Sequence, residues 1–253
     1  MGKPIPTGCA KLDEILGGGI RRSSVTLITG TSGTGKTTLA CTMVQAACQR
    51  GERALYFSFE ESQDMIIDNM QSPGIDLGPA VAADLLRFST ALPEAAGAEQ
   101  HLVRSIADIE AFQPQLVVVD AISACLRMGS ELAAFEFVMR LTNACKRHGI
   151  TMLLLNQAED ALDRLELSGV GVSSLVDGVI ILRHVNTGST IRATLLVLKA
   201  RGAKHSRDFF ELEITDAGIT LREMAFDQPV GMIGINSRRR MRRTSGQEGE
   251  GLL

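Results

Sequence analysis

Short apolar runs alternate with stretches of helical periodicity over the first 156 residues of this chain. The apolar runs predict buried strands at 25–28, 54–59, 85–88, 116–120 and 151–156. Helical spacing and capping residues predict helices around these strands, at 7–16, from the thirties to 49, and at 62–69, 101–112 and 131–147. This alternation indicates an α/β fold with a mostly parallel central sheet flanked by helices.

The pattern changes after residue 177, where strand signals separated by turns replace the helices. These strands are predicted at 179–182, 190–198, 208–214 and 219–221. They indicate a C-terminal antiparallel extension of the sheet. Residues 236–253 are rich in Arg and then in Gly and Glu, which is typical of a disordered tail. We therefore expect one folded domain, residues 1–235, followed by a tail, residues 236–253.

The amino-acid composition and the cysteine spacing indicate what kind of core the protein has and where in the cell it works. The chain is 45% hydrophobic but only 4% aromatic, so an aliphatic core is expected, which suits helices packed on a sheet. It shows neither an apolar run long enough to span a membrane nor a signal peptide, and its five cysteines form no C-x-x-C pair. A cytoplasmic protein with reduced cysteines is therefore expected.

Charge is unevenly distributed along the chain. The net charge is −3, and the tail carries five Arg against two Glu, which leaves −6 on residues 1–235. An acidic body does not favour binding to duplex DNA.

Residues 30–37, GTSGTGKT, match the phosphate-binding loop G-x-x-x-x-G-K-[ST] at every fixed position, between a predicted strand and a predicted helix. Glycines let backbone N–H groups surround phosphate oxygens, and the helix N-terminus adds a positive dipole end. Lys36 would reach the β- and γ-phosphates, and the Thr37 hydroxyl would bind Mg²⁺. The predicted nucleotide-binding residues are Thr31, Ser32, Gly33, Thr34, Gly35, Lys36, Thr37 and Thr38.

Carboxylates follow two other predicted strands. Asp120 ends an apolar strand, as the second Mg²⁺-binding residue of phosphate-loop enzymes does. Glu60 and Glu61 end the strand at 54–59, where they could orient water or accept a hydroxyl proton. A solvated pair that only caps the next helix is the alternative.

Taken in order, these motifs resemble the KaiC family of RecA-like ATPases, which includes the ATPase and autokinase of the cyanobacterial circadian clock. Four stretches between residues 7 and 226 carry the resemblance: Leu12–Glu14 with Gly17–Gly19, the loop at 30–37, Phe59–Ser62 and Leu198–Gly202. It implies a RecA-like P-loop NTPase fold, ATP and Mg²⁺ as cofactors, and a homo-oligomeric, hexameric ring. Regulatory or signalling proteins are implied as possible partners.

The resemblance assigns Lys199 and Arg201 to the lysine and arginine that a neighbouring subunit supplies to the γ-phosphate. It also assigns Glu60 and Glu61 to the family's paired catalytic glutamates. Residues two apart in a strand face the same side, so Lys199 and Arg201 would project together. Two surface cations at a strand end are the alternative.

Ser173 and Ser174 fall where the kinase-active half of the family's clock protein carries adjacent autophosphorylation sites. A hydroxyl there would replace water as the nucleophile that attacks the neighbour's ATP. Ordinary loop serines are the alternative, and Gly169 and Gly171 depart from the family's polar segment. Further departures are Ala121 after Asp120, and one such domain where the clock protein has two in tandem.

We expect an Mg-ATP-dependent ATPase, and possible serine autokinase, that acts at the subunit interfaces of a ring. Two other classes stay open. An accessory ATPase on single-stranded DNA would need a basic groove with stacking aromatics, which the acidic body and aromatic scarcity disfavour. A non-enzymatic module would use ATP only to hold a ring together.

Overall fold

The computed structural model describes residues 3–157, 175–186 and 190–224, and within them the predicted order of strands and helices is confirmed. The elements, in chain order, are β1 (Pro4–Ile5), α1 (Ala10–Ile15), β2 (Ile20–Arg21), β3 (Val25–Gly30), α2 (Lys36–Gln49), β4 (Ala54–Ser58), α3 (Gln63–Gln71), α4 (Gly78–Ala82), β5 (Leu86–Thr90), α5 (Ala98–Phe112), β6 (Leu116–Asp120), α6 (Glu131–Arg147), β7 (Thr151–Gln157), β8 (Gly178–Asn186), β9 (Ile191–Ala200), β10 (Phe209–Thr215) and β11 (Gly218–Glu223). Two short 3₁₀ helices, Pro93–Ala95 and Ala124–Met128, follow β5 and β6.

Within the described residues, nine strands form the central sheet, in the order β11-β10-β9-β8-β3-β7-β6-β4-β5. Neighbouring strands from β8 to β5 are parallel. The pairs from β8 to β11 are antiparallel. The predicted α/β fold, with a mostly parallel sheet and a C-terminal antiparallel extension, is therefore confirmed and agrees with a RecA-like P-loop fold.

In the part of the chain that the structure describes, apolar side chains on the two faces of the sheet form two buried clusters. Alternate residues of the central strands face opposite sides, so Ile28 and Leu27 belong to different clusters. Helix α2 covers one face through residues such as Leu39, and α5 and α6 cover the other through residues such as Phe137. Helices on both faces bury the middle strands completely, which explains why their sequences read as continuous apolar runs.

Local chemistry sets several helix ends. The Ser62 hydroxyl accepts a hydrogen bond from the Met65 N–H, so this residue caps α3 as predicted. Helix α5 begins at Ala98, three residues before the predicted start, with Gly97 as its N-cap. The pair β1–β2 was not predicted, because strands of two residues show no periodicity.

Within the described ranges, no helix is both long enough and apolar enough to cross a membrane. All five cysteines lie in this part of the chain, and each is buried with a free thiol. The predicted tail, 236–253, lies outside the described residues, so the expected boundary at residue 235 stays a prediction.

Candidate functional site

The loop between β3 and α2 forms a tight turn whose shape depends on glycine. Gly33 and Gly35 have φ angles of 76° and 91°, in the region that favours glycine. A Cβ atom on Gly35 would lie 2.6 Å from Cδ1 of Ile214. Gly35 is also the N-cap of α2 and offers no capping side chain. The amides of the first turn of α2 can therefore bind an anion.

Lys36, the first residue of α2, lies over this loop. Its Nζ donates a hydrogen bond to the Thr31 carbonyl oxygen at 2.8 Å, and the Thr34 hydroxyl donates to the same oxygen at 2.8 Å. Burial lowers the pKa of the Lys36 ammonium, while Asp120 and Glu60 act in the opposite direction. The ammonium is thus partly desolvated and held close to two carboxylates, which suits the binding of phosphate oxygens.

Asp120 lies beside the loop because β4 and β7 flank β6, and β7 pairs in turn with β3. Its Oδ2 accepts hydrogen bonds from the Thr37 hydroxyl at 2.9 Å and from the Tyr56 hydroxyl at 2.6 Å. Burial raises the pKa of the Asp120 carboxyl, although Tyr56, Thr37 and Lys36 oppose that shift. The peptide bond between Asp120 and Ala121 is cis.

Thr37 and Asp120 supply the kind of oxygen ligands that Mg²⁺ binds. The described residues contain no group of three or more His, Cys, Asp or Glu side chains that could hold a metal by themselves. Mg²⁺ characteristically takes one or two protein oxygens and completes its octahedron with water and substrate phosphates. The pair therefore fits Mg²⁺ bound together with a nucleotide.

Glu60 and Glu61 follow β4 but point to different neighbours. Glu60 Oε1 lies 3.6 Å from a guanidinium nitrogen of Arg127, whose Nε lies 2.6 Å from Oε1 of Glu94. The Asn69 amide donates to Glu61 Oε2 at 3.2 Å, within the helix that follows. Of the two glutamates, Glu60 is the one that acts on Lys36, where its charge raises the pKa of the ammonium against the effect of burial.

Lys199 and Arg201 lie at the other edge of the sheet. Ala200 pairs with Gly178, and Gly178 pairs with Thr26 near the start of β3, whereas the loop follows the end of β3. Four residue steps along β3, from Thr26 to Gly30, separate the two edges by roughly 13 Å. Lys199 Nζ donates to the Val176 carbonyl at 2.8 Å, and an Arg201 guanidinium nitrogen lies 3.7 Å from Asp177 Oδ1.

These contacts define two regions at opposite edges of the sheet. The phosphate edge comprises residues 30–37 with Asp120. The cation edge comprises Lys146, Asp177, Lys199 and Arg201; Lys146 Nζ lies 3.0 Å from Asp177 Oδ2. The candidate autophosphorylation residues Ser173 and Ser174 lie outside the described residues.

Several residues that contact predicted site residues or these regions were not themselves predicted, among them Tyr56, Lys146, Asp177 and Arg127. Tyr56 is the only tyrosine of the chain, and the hydroxyl of a tyrosine in a fully buried strand needs a buried hydrogen-bond partner. Asp177 stands immediately before a buried strand, a position similar to that of a strand-end carboxylate. Arg127 carried no signal in the sequence, because its partners come from two distant segments.

Comparison with known proteins finds one matching family model, described as "ATPase: KaiC", over residues 5–225. A circadian clock oscillator protein KaiC from Parathermosynechococcus lividus is 34% identical over 219 residues, which cover 87% of this chain and 40% of that protein. The circadian clock protein KaiC2 from a Synechocystis strain is 38% identical over 222 residues, covering 87% and 39%. The chain thus spans about two fifths of the length of these relatives.

Proposed function

The chain belongs to the KaiC family of ATPases, and we propose that it binds Mg-ATP at the phosphate edge and hydrolyses it between neighbouring subunits of a ring. The observation that carries this proposal is the division of the predicted site between two opposite edges of one sheet. Lys36, Thr37 and Asp120 are brought together at one edge, whereas Lys199 and Arg201 lie at the other. We place the ATPase domain at residues 1–235.

At the phosphate edge, each residue has a role that its position supports. The loop amides and Lys36 bind the phosphates, and Thr37 and Asp120 bind Mg²⁺, which neutralises charge on the phosphates when it is present. Glu60 or Glu61 orients the nucleophile. Glu60 is the better placed of the two, since it contributes to the electrostatic environment of Lys36.

The cation edge requires a second subunit. Roughly 13 Å of β-strand separates the two edges of one subunit, and Lys199 and Arg201 contact Val176 and Asp177 at the cation edge, so they cannot reach a nucleotide in their own phosphate edge. When one subunit's cation edge packs against the next subunit's phosphate edge, the contact is head-to-tail. When the same head-to-tail contact is repeated from subunit to subunit, the assembly closes into a ring if the rotation between neighbouring subunits is a whole fraction of a full turn. Six subunits are the number that the family resemblance implies.

Autophosphorylation of Ser173 or Ser174 is the second part of the proposal. Ser173 and Ser174 precede Asp177, a residue of the cation edge, by four and three positions in the sequence. That edge faces the neighbour's ATP in the proposed ring. A serine hydroxyl could therefore take the place of the attacking water and accept the γ-phosphoryl group. A ring that phosphorylates itself would suit a signalling or timing role with regulatory protein partners.

The proposal is tested by incubating the purified protein with Mg-ATP and measuring intact mass, phosphorylated positions and ADP release. We expect ADP, and phosphate on Ser173 or Ser174, with both lost in a Glu60→Gln/Glu61→Gln variant. Release of ADP from unmodified protein would remove the autokinase and leave an ATPase, to be assayed next with single-stranded DNA. Lys36→Ala provides the control, and full ATP binding by that variant would contradict the assignment of the phosphate edge.

A further inference from the structure

Asp177 lies at the centre of the cation edge and is fixed to the core strand β3. Its N–H donates to the Val25 carbonyl at 2.8 Å, and its Oδ2 accepts from the Val25 N–H at 3.0 Å. The Arg201 N–H in turn donates to the Asp177 carbonyl at 2.8 Å, and the Arg201 guanidinium lies 3.7 Å from Asp177 Oδ1. Arg201 is therefore connected to the middle of the sheet through Asp177.

Lys199 contacts the same segment, residues 176–177, because a β-bulge in β9 redirects its side chain. The pairing of β8 with β9 shifts register between Val179 and Ile180, so that Leu198 is an extra residue immediately before Lys199. Bulges of this kind redirect the neighbouring side chain. Lys199 Nζ then donates to the carbonyl of Val176, the residue before Asp177. The two cations thus meet at residues 176–177.

Three cations lie close together at this edge. Lys146 and Arg201 both pair with Asp177, and burial lowers the pKa of the Lys199 ammonium, with Arg201 and Lys146 lowering it further and Asp177 opposing them. The Asp177 side chain is 23% exposed, whereas that of Arg201 is 58% exposed. The Asp177 carboxylate is thus mostly buried, while the Arg201 guanidinium that it pairs with is exposed. This arrangement presents positive charge to an anion on another molecule.

We propose that Asp177 is a positioning residue that holds Arg201, and with it Lys199, in the orientation needed to complete the neighbouring subunit's nucleotide site. This inference rests on the proposed function, in which these cations act on ATP bound by another subunit. An exposed arginine side chain has many rotamers, and the carboxylate reduces the cost of ordering it beside two lysines. Without that carboxylate, the three cations repel one another and Arg201 loses its fixed direction.

The test is Asp177→Asn, assayed for ATP hydrolysis in the assembled protein. We expect kcat to fall by about ten- to a hundredfold, the range that a small misplacement of a catalytic group can cause. The KM for ATP should stay within about twofold, because the phosphate edge that binds ATP in the ground state is unchanged. Glu213→Gln is the matched control, since Glu213 pairs with Arg222 across the outermost strands β10 and β11. This control should keep the wild-type kcat.

Co-expression with Lys36→Ala separates positioning in trans from damage within a subunit. An Asp177→Asn subunit has an intact phosphate edge, and a Lys36→Ala subunit has an intact cation edge. Equal co-expression should therefore recover about a quarter of the wild-type rate per subunit, the share of head-to-tail contacts with both edges intact. Arg201→Ala with Lys36→Ala is run in parallel.

Each outcome decides a different point. If Asp177→Asn keeps the wild-type kcat, Asp177 has no positioning role. The role is also overturned if co-expression with Lys36→Ala restores activity to Arg201→Ala but not to Asp177→Asn. Failure of Arg201→Ala itself to be restored overturns the proposed sharing of the site between subunits, and the present inference with it. Size-exclusion chromatography of every variant must show the wild-type assembly, so that lost rate is not lost assembly.

Discussion

Each edge of the sheet contains a carboxylate next to a strand terminus, Asp120 at the end of β6 and Asp177 just before β8, and the two have different partners. Asp120 at the phosphate edge accepts from two neutral hydroxyls, of Thr37 and Tyr56. Asp177 at the cation edge accepts from a backbone amide and faces Lys146 and Arg201. The first carboxylate is held ready for a cation that arrives with the nucleotide, whereas the second already has its cations and directs them outward.

The largest effect expected from this comparison is on turnover. Asp120→Asn keeps a similar shape but removes the charge that binds Mg²⁺, so kcat should fall by about a hundredfold or more. Asp108→Asn is a matched control, because Asp108 also accepts from a hydroxyl, that of Ser89, on a distant strand. Steady-state hydrolysis assays measure both variants. A wild-type rate for Asp120→Asn would contradict the Mg²⁺ assignment.

The same position should show an opposite effect on stability. Asparagine can still accept from Thr37 and Tyr56 and has no charge to desolvate, so Asp120→Asn should raise the free energy of unfolding by about 0.5–2 kcal/mol. Asp120→Ala leaves the buried Tyr56 hydroxyl without its acceptor and should lower it by about 1–3 kcal/mol. Urea denaturation without nucleotide measures both. Equal destabilisation by the two variants would show that the Asp120 charge carries no cost.

Much of the fold was predictable because its signals are local. The apolar runs, the loop at 30–37 and the cap at Ser62 each lie within a few consecutive residues. The contact between Tyr56 and Asp120 depends instead on β4 lying next to β6, which no local pattern specifies.

The position of the cation edge could be predicted from the sequence only in part. That Lys199 and Arg201 would lie together could be expected from strand geometry. Their distance from the phosphate edge depends on the antiparallel pairing of β9 with β8, and the direction of Lys199 depends on the bulge at Leu198. The partners of Arg127 come from segments 33 and 67 residues away, and only the tertiary structure reveals them.

Stability should also depend on pH through Asp120. Burial raises the pKa of this carboxyl above its ordinary value of 3.8. Between that value and the folded-state pKa, the folded protein binds more protons than the unfolded chain, so the free energy of unfolding falls as pH rises. The advantage of Asp120→Asn over wild type should therefore be smallest at pH 4, grow with pH, and become constant above the folded pKa. A difference that shrinks as pH rises would mean that the pKa is lowered.

The smallest expected effect is that of Asp177→Asn on stability. Its partners Lys146 and Arg201 are 33% and 58% exposed, and such ion pairs contribute about 0–1 kcal/mol. The asparagine oxygen can still accept from the Val25 N–H, which keeps the segment attached to β3. Urea denaturation should thus place this variant within about 1 kcal/mol of wild type, and below Asp120→Asn. A loss of several kcal/mol would mean that Asp177 mainly stabilises the fold, and any fall in its kcat would then need no positioning role.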